Sequence, residues 1–148
     1  MKIKITLITF CFIIVTGFSY AQKKDSQQSI INSKVQIKKY HQISELENIS
    51  KGELLNLYTE RIQALTNVIP YIALATKPGA TMSTLGIPNT SENVKVLEKQ
   101  IENTDDYIKN TLEFQKVILP YSDTKNLMRA IIFYEEIMKS LNTYDDLY

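Results

Sequence analysis

Residues 90–144 decide the fold, and they read TSENVKVLEKQIENTDDYIKNTLEFQKVILPYSDTKNLMRAIIFYEEIMKSLNTY. Apolar side chains recur every three, four or seven positions on both sides of Pro120, which is the pattern of two amphipathic helices. Pro120 ends the first helix because it has no N–H to donate and clashes with the preceding turn. The short link predicts that the two helices pack as antiparallel neighbours. The apolar positions are Val94, Leu97, Ile101, Ile108, Leu112 and Ile118, then Leu127, Met128, Ile131, Ile132, Tyr134, Ile137, Met138 and Leu141.

Residues that commonly cap helices stand before each of these two helices. Asn89 or Thr90 can accept the free backbone N–H groups of the first helix, and Ser122 or Asp123 those of the second. The apolar stripe of the second helix is the wider one. We therefore expect the second helix to be the more buried of the two.

A further helix is predicted to begin near Ser50. Ser50 and Glu53 have the spacing of a capping box, and Ile49 and Leu54 fit the hydrophobic staple around it. Pro70 interrupts the apolar stripe that follows. We expect it to kink the helix, and the alternative is that the helix ends there and a new one begins.

These signals predict an all-α fold, a small antiparallel helical bundle. Its three main helices are expected over residues 50–77, 90–119 and 123–143, and a shorter N-terminal helix is a candidate fourth. The bundle domain is assigned to residues 44–148. A chain of this length can bury enough surface to fold without a disulfide or a metal.

The first 21 residues have the three parts of a secretory signal peptide. A short basic start is followed by an apolar run from Ile5 to Phe18, and the small residues Ser19 and Ala21 precede a cleavage position at Gln22. The alternative is an uncleaved membrane anchor, but the run is shorter than the roughly 20 residues that a spanning helix needs. We therefore assign residues 1–21 to a signal peptide.

The predicted mature chain, from Gln22 onward, contains no cysteine, because Cys11 lies inside the apolar run. Export without disulfides suits a bacterial envelope better than a eukaryotic secreted domain. The leader, with its Ala-Gln end, resembles in style the leaders of exported Gram-negative proteins. We therefore expect the protein in the periplasm of a Gram-negative bacterium, or secreted.

Residues 22–43 form a basic arm ahead of an acidic body. We interpret residues 22–33 as a flexible tail, and residues 34–43 favour a helix over a short strand. The arm can contact anionic lipid headgroups or serve as a solvated tail. Export and the scarcity of arginine in the arm argue against a nucleic-acid partner. The arm contains Asp25 and five lysines: Lys23, Lys24, Lys34, Lys38 and Lys39.

The sequence offers no recognisable catalytic or metal site. His41 is the only histidine, and we interpret it as a surface residue. One histidine and no mature cysteine exclude the usual zinc sites, and no nucleophile motif accompanies His41 for a hydrolytic triad. Adjacent carboxylates on a helix point about 100° apart and do not converge on one substrate atom. We therefore expect a non-enzymatic protein with no cofactor, and a hydrolase built from scattered carboxylates stays a minor alternative.

The loop over residues 78–88 and the tyrosines carry the functional hypothesis. The loop is longer than most helix–helix links, so it serves either as a structural crossover or as a partner-binding loop. Tyrosine suits protein recognition, and its alternative role is to line the rim of the core. We expect the protein to bind another envelope protein, as an accessory subunit, adaptor, inhibitor or immunity-type protein; the alternative is a bundle that binds a small apolar ligand or lipid. The predicted contact residues are Met82, Leu85, Ile87, Tyr107, Tyr144 and Tyr148.

Overall fold

The computed structural model describes residues 28–32 and 36–145, and of residues 144 and 145 the backbone alone. The predicted signal peptide and Tyr148 lie outside these residues. The described chain is helical without strands, which confirms the all-α fold class. Its helices are α1 (Ile43–Leu46), α2 (Lys51–Val68), α3 (Ser91–Ile118) and α4 (Thr124–Asp145).

The predicted caps start the three long helices. At α2, the Ser50 hydroxyl accepts from the backbone N–H of Glu53 at 3.3 Å, and the Glu53 carboxylate accepts from the backbone N–H of Ser50 at 3.1 Å. This reciprocal pair is the capping box that the sequence predicts. Thr90 caps α3, and Asp123 accepts from the first backbone N–H groups of α4. The predicted starts of all three helices are therefore confirmed.

Two prolines end helices in the same way. Pro70 lies in a 3-10 turn, Ile69–Tyr71, directly after α2, and Pro120 lies in an equivalent turn, Leu119–Tyr121, directly after α3. The expectation that Pro70 only kinks a helix reaching residue 77 is wrong. Of the alternative, the helix end at this point is confirmed, but the new helix is not found, since the 3-10 turn follows and the next α-helix begins at Ser91. A proline lacks the N–H that the next helical hydrogen bond needs, so the chain tightens and leaves the helix.

Helix α2 is the centre of the bundle. Its N-terminal half packs with the start of α4 around Leu54 and Leu127, and its C-terminal half packs with the end of α4 around Val68 and Met138. These pairings make α2 and α4 parallel. Helix α3 is antiparallel to α2, since Lys51 at the start of α2 donates a hydrogen bond to the carbonyl of Pro120, just beyond the end of α3. The bundle therefore has an up-down-up order.

The prediction that α3 and α4 pack directly against each other is wrong. They make little contact along their lengths, because each packs against α2. Val94 and Leu97 of α3 pack on the cluster around Val68 and Tyr71. The expectation that α4 is the more buried helix is confirmed, because it contributes Leu127, Met128, Ile131, Glu135 and Met138 to the interior while α3 contributes Thr104, Ile108 and Gln115.

The segment before α1 is part of the bundle. Ile30 and Ile31 are 3% and 1% exposed and pack into the core beside Val68 and Met82. The backbone N–H of Ile30 donates to the carbonyl of Ala80 at 2.8 Å. The interpretation of residues 22–33 as a flexible tail is therefore wrong for residues 28–32, because two apolar side chains outweigh their polar neighbours.

The helix favoured over residues 34–43 is also not found in its described part. Residues 36–42 have no regular secondary structure, and helix α1 comprises four residues, beginning at Ile43. Side chains of α2 and α4 bond two backbone groups of this segment, the carbonyl of Lys39 and the N–H of His41.

The long connection between α2 and α3 is a crossover packed on the core. Met82 is buried among Ile30, Ile31 and Tyr71, and Leu85 and Ile87 lie partly buried against the same cluster. A short 3-10 turn, Ser83–Leu85, ends at Gly86 in the left-handed region, with a φ of 70°. The structural interpretation of this loop is thus supported by its packing, and a contact with a partner stays a prediction.

Candidate functional site

Ionisable side chains meet inside the bundle where the N-terminal segment crosses α2 and α4. Glu135 of α4 is fully buried, and Arg61 of α2 is 1% exposed. The side chain of His41 is 8% exposed. The interpretation of His41 as a surface residue is therefore wrong, because the extended backbone before α1 turns the imidazole toward a buried carboxylate.

Glu135 accepts hydrogen bonds from both partners. Arg61 Nε and Nη2 donate to Glu135 Oε1 at 3.0 and 2.7 Å, and His41 Nδ1 lies 2.9 Å from the same oxygen. The backbone N–H of His41 donates to Glu135 Oε2. An ionised carboxylate can only accept, so the contact with Glu135 favours the tautomer with the proton on Nδ1, while Arg61 Nη2 lies 3.3 Å from the same nitrogen. Arg61 Nη2 also donates to the carbonyl of Lys39 at 2.7 Å, and Nη1 to the carboxylate of Glu60 at 2.9 Å.

The hydrogen bonds set the charge state of Glu135. Burial alone would raise the pKa of the carboxyl, but the hydrogen bonds from His41 and Arg61 and the guanidinium charge outweigh it and lower the pKa below its ordinary 4.5. The carboxylate is therefore ionised at neutral pH, and it joins α2, α4 and the N-terminal segment.

The contacts of this cluster correspond to one half of a hydrolytic triad. A carboxylate that orients a histidine is half of a catalytic triad, and the other half is a nucleophile that donates to the second ring nitrogen. Among the described residues, no Ser, Thr or Cys side chain forms a hydrogen bond with the His41 ring. The same residues contain no group of three His, Cys, Asp or Glu side chains placed to hold a metal ion.

We expect the stability of the protein to fall as the pH is lowered below about 4.5, with Glu135 as a main contributor. Its pKa is depressed in the folded chain, so its contribution is present above the unfolded-state pKa and is lost as the pH falls through the folded-state pKa. Urea unfolding at a series of pH values measures this slope. A Glu135→Gln variant with the same slope as the wild type would show that another group is responsible.

The outer side of α3 carries a second candidate site, which we call the outer seam. Its positions follow a four-three spacing, the period of a helix that packs along another helix. None of its side chains is charged, and its hydrophobic and aromatic side chains are exposed by 60% or more. The seam consists of Val96, Gln100, Asn103, Tyr107, Asn110, Phe114 and Val117, and continues to Tyr121 in the turn that follows.

The two borders of the outer seam differ. Lys99, Asp106 and Glu113 form an exposed charged row on one side. On the other side lie residues that pack toward α2, ending at Ile118, which is 49% exposed. An uncharged strip with aromatic side chains and a charged rim is the composition of the centre and edge of a protein–protein interface.

The residues predicted from the sequence to contact a partner are not brought together. Met82 is buried, and Leu85 and Ile87 are partly buried on the same cluster. Tyr107 lies on the outer seam and is 60% exposed. The side chain of Tyr144 and the whole of Tyr148 lie outside the described residues. Of the predicted set, Tyr107 is thus the described residue with a freely accessible side chain.

Phe114, Val117 and Tyr121 were not singled out from the sequence. The signal was present as the four-three spacing of residues 96–121, but the stripe through Val94 and Ile108 was the stronger apolar pattern. A sequence shows that a helix has two uncharged faces, but only the packing shows which one is left exposed.

No helix in the described part of the chain is both long enough and apolar enough to cross a bilayer. Comparisons with known proteins add no relative: the chain matches no protein-family model, no curated protein and no solved structure. Any functional argument therefore depends on the chain itself.

Proposed function

We propose that this protein is exported, is not an enzyme, and binds another cell-envelope protein through the outer seam of α3. The observation that supports the proposal is the seam, an uncharged strip that includes Tyr107, Phe114, Val117 and Tyr121, all well exposed. Large aromatic side chains provide much of the binding energy in protein interfaces. An accessory subunit, an adaptor, and an inhibitor or immunity-type protein would all use such a surface.

The spacing favours a helix of the partner as the occupant. Side chains that repeat every 3.5 residues stay aligned along one neighbouring helix, as in a coiled coil. Asn103 and Asn110 lie on the seam between apolar positions, and polar residues at such positions fix the register of paired helices. The partner is therefore expected to present an amphipathic helix with matching apolar and amide side chains.

A lipid surface fits the outer seam less well. Helices that lie on membranes carry Lys or Arg beside the apolar face. The charged row here contains Lys99 together with Asp106 and Glu113, and Lys99 is bonded to Glu102 at 2.7 Å. The two carboxylates would be repelled by anionic headgroups. Export is supported by the leader pattern in residues 1–21.

The test is affinity capture from crosslinked envelope fractions, and it compares the amount of partner captured by three tagged versions of the protein. We expect the wild type to capture one stoichiometric partner. The double variant Phe114→Asp/Val117→Asp is expected to capture at least tenfold less of this partner, because a charge buried at the centre of an interface loses its hydration and gains no counterion. Lys109→Asp is the control, because it places aspartate on the charged side of the same helix. It is expected to capture the wild-type amount.

Two outcomes would count against this proposal. Equal capture by all three proteins would remove the outer seam as the contact. A concentration-dependent dimer of the purified wild type in light scattering, dispersed by the double variant, would show that the seam binds a second copy instead. Circular dichroism of the double variant checks that it is folded, and its exposed positions make that the expected result.

A further inference from the structure

A groove between α2 and α3 has a volume of about 700 Å³. Its walls are mainly apolar, with Leu55 on α2, and Leu112 and Leu119 at the end of α3. The hydrogen bond from Lys51 Nζ to the carbonyl of Pro120, at 2.7 Å, ties the two walls together at one end. A volume of this size lies within the range of small-molecule pockets in proteins.

One buried polar group in the groove wall lacks a partner. Gln115 is 8% exposed, and among the described residues its Oε1 has no hydrogen-bond partner. An unpaired buried acceptor costs free energy. The terminal torsion of a glutamine is broad, so the amide can turn toward a donor in the groove at little cost.

The groove does not favour a charged ligand. Glu53 and Lys116 border it, and Lys51 lies at one end, so charges of both signs are present. Glu53 is held in the capping box with Ser50, so it stays near the opening as a fixed negative charge. A headgroup of either sign would meet a repulsive neighbour as well as an attractive one, and it would lose more hydration on entering an apolar groove than a neutral headgroup does. A neutral headgroup is therefore the better match.

We propose that the groove binds a small neutral amphiphile, whose apolar body lies along Leu55, Leu112 and Leu119 and whose hydroxyl or amide N–H donates to Gln115. The groove is separate from the outer seam, because Leu112 and Gln115 lie on the side of α3 that faces α2. This site does not depend on the proposed partner, and either can fail while the other holds.

The experiment is calorimetric titration of the purified, delipidated protein with 1-decanol, methyl decyl ether and decanoate. The alcohol can donate a hydrogen bond, the ether can only accept one, and decanoate carries a charge. We expect decanol to bind about five- to tenfold more tightly than the ether, the range of one hydrogen bond. Decanoate is expected to bind more weakly than decanol.

Two variants locate the binding. Gln115→Leu removes the unpaired acceptor, so the ratio of decanol to ether affinity is expected to fall to about one. Gly52→Phe adds a ring at the groove, where an added Cβ meets no heavy atom within 4 Å, and circular dichroism checks that the variant is folded. Both affinities are expected to fall at least tenfold. Val117→Phe is the matched control on the exposed outer seam, and it is expected to bind as the wild type does.

The proposal is overturned by any of three results. These are no measurable decanol binding, a decanol preference that survives Gln115→Leu, and decanoate binding that exceeds decanol and depends on Lys116. Gly52→Phe with wild-type affinity would likewise place the ligand elsewhere.

Discussion

Replacing Glu135 with glutamine is expected to lower the free energy of unfolding by about 3–5 kcal/mol. The substitution keeps the size of the side chain but removes the buried counterion of the Arg61 guanidinium, which is 1% exposed and keeps only its pair with the partly exposed Glu60. The amide also replaces one acceptor with a donor, in a place where His41 and Arg61 both donate. Urea unfolding followed by circular dichroism at pH 7 gives the value.

Glu136→Gln is the matched control for this substitution. Glu136 is the next residue on α4, and its side chain is 61% exposed and paired with Lys139 at the surface. Its loss is expected to leave stability unchanged within error, since exposed pairs contribute little. If Glu135→Gln were as mild as Glu136→Gln, the buried cluster would not hold the bundle together.

Replacing Ile31 with alanine is expected to lower the free energy of unfolding by about 2–4 kcal/mol. Ile31 is 1% exposed and packs with Ile30, Val68 and Met82 in the core. Its truncation leaves a cavity that the surrounding helices cannot fully close. The same urea measurement at pH 7 applies.

Lys38→Ala, at an exposed position of the same N-terminal segment, is the control and is expected to change stability little. An effect of Ile31→Ala below about 0.5 kcal/mol, a typical surface value, would mean that the segment does not contribute to the core. This outcome would restore the interpretation of residues 28–32 as a tail.

The three long helices were predictable because their signals are local. The Ser50–Glu53 capping box, the Thr90 cap and Pro120 each act on the backbone within a few residues. Such effects do not depend on what packs above them. The same reasoning left Pro70 ambiguous, because a kink and a helix end begin with the same missing hydrogen bond.

The packing of the helices was not predictable in the same way. A short link reverses the chain after α3, but it does not require α3 and α4 to touch when α2 offers both of them a surface. Ile30 and Ile31 were not recognised as core residues, because the residues around them in the sequence are polar. His41 carried no local sign of its partner, because Glu135 is 94 positions away in the chain.

One of the contact residues predicted from the sequence, Tyr107, lies on the outer seam and is exposed. Tyr121, which is also exposed, is not in the predicted set. The loop residue Met82 was assigned to the surface because apolar residues in a long loop suggest a partner, whereas it fills the core. Which apolar side chains stay exposed depends on tertiary packing.

The most direct test of the proposed partner contact is photo-crosslinking in living cells with benzoylphenylalanine in place of Phe114. Phe133 on α4 is the matched control, since it is also an exposed phenylalanine, at 62% against 64%. The proposal predicts one discrete adduct with an envelope protein from position 114 and none from position 133. No adduct at position 114, or the same adducts from both positions, would contradict binding through the outer seam.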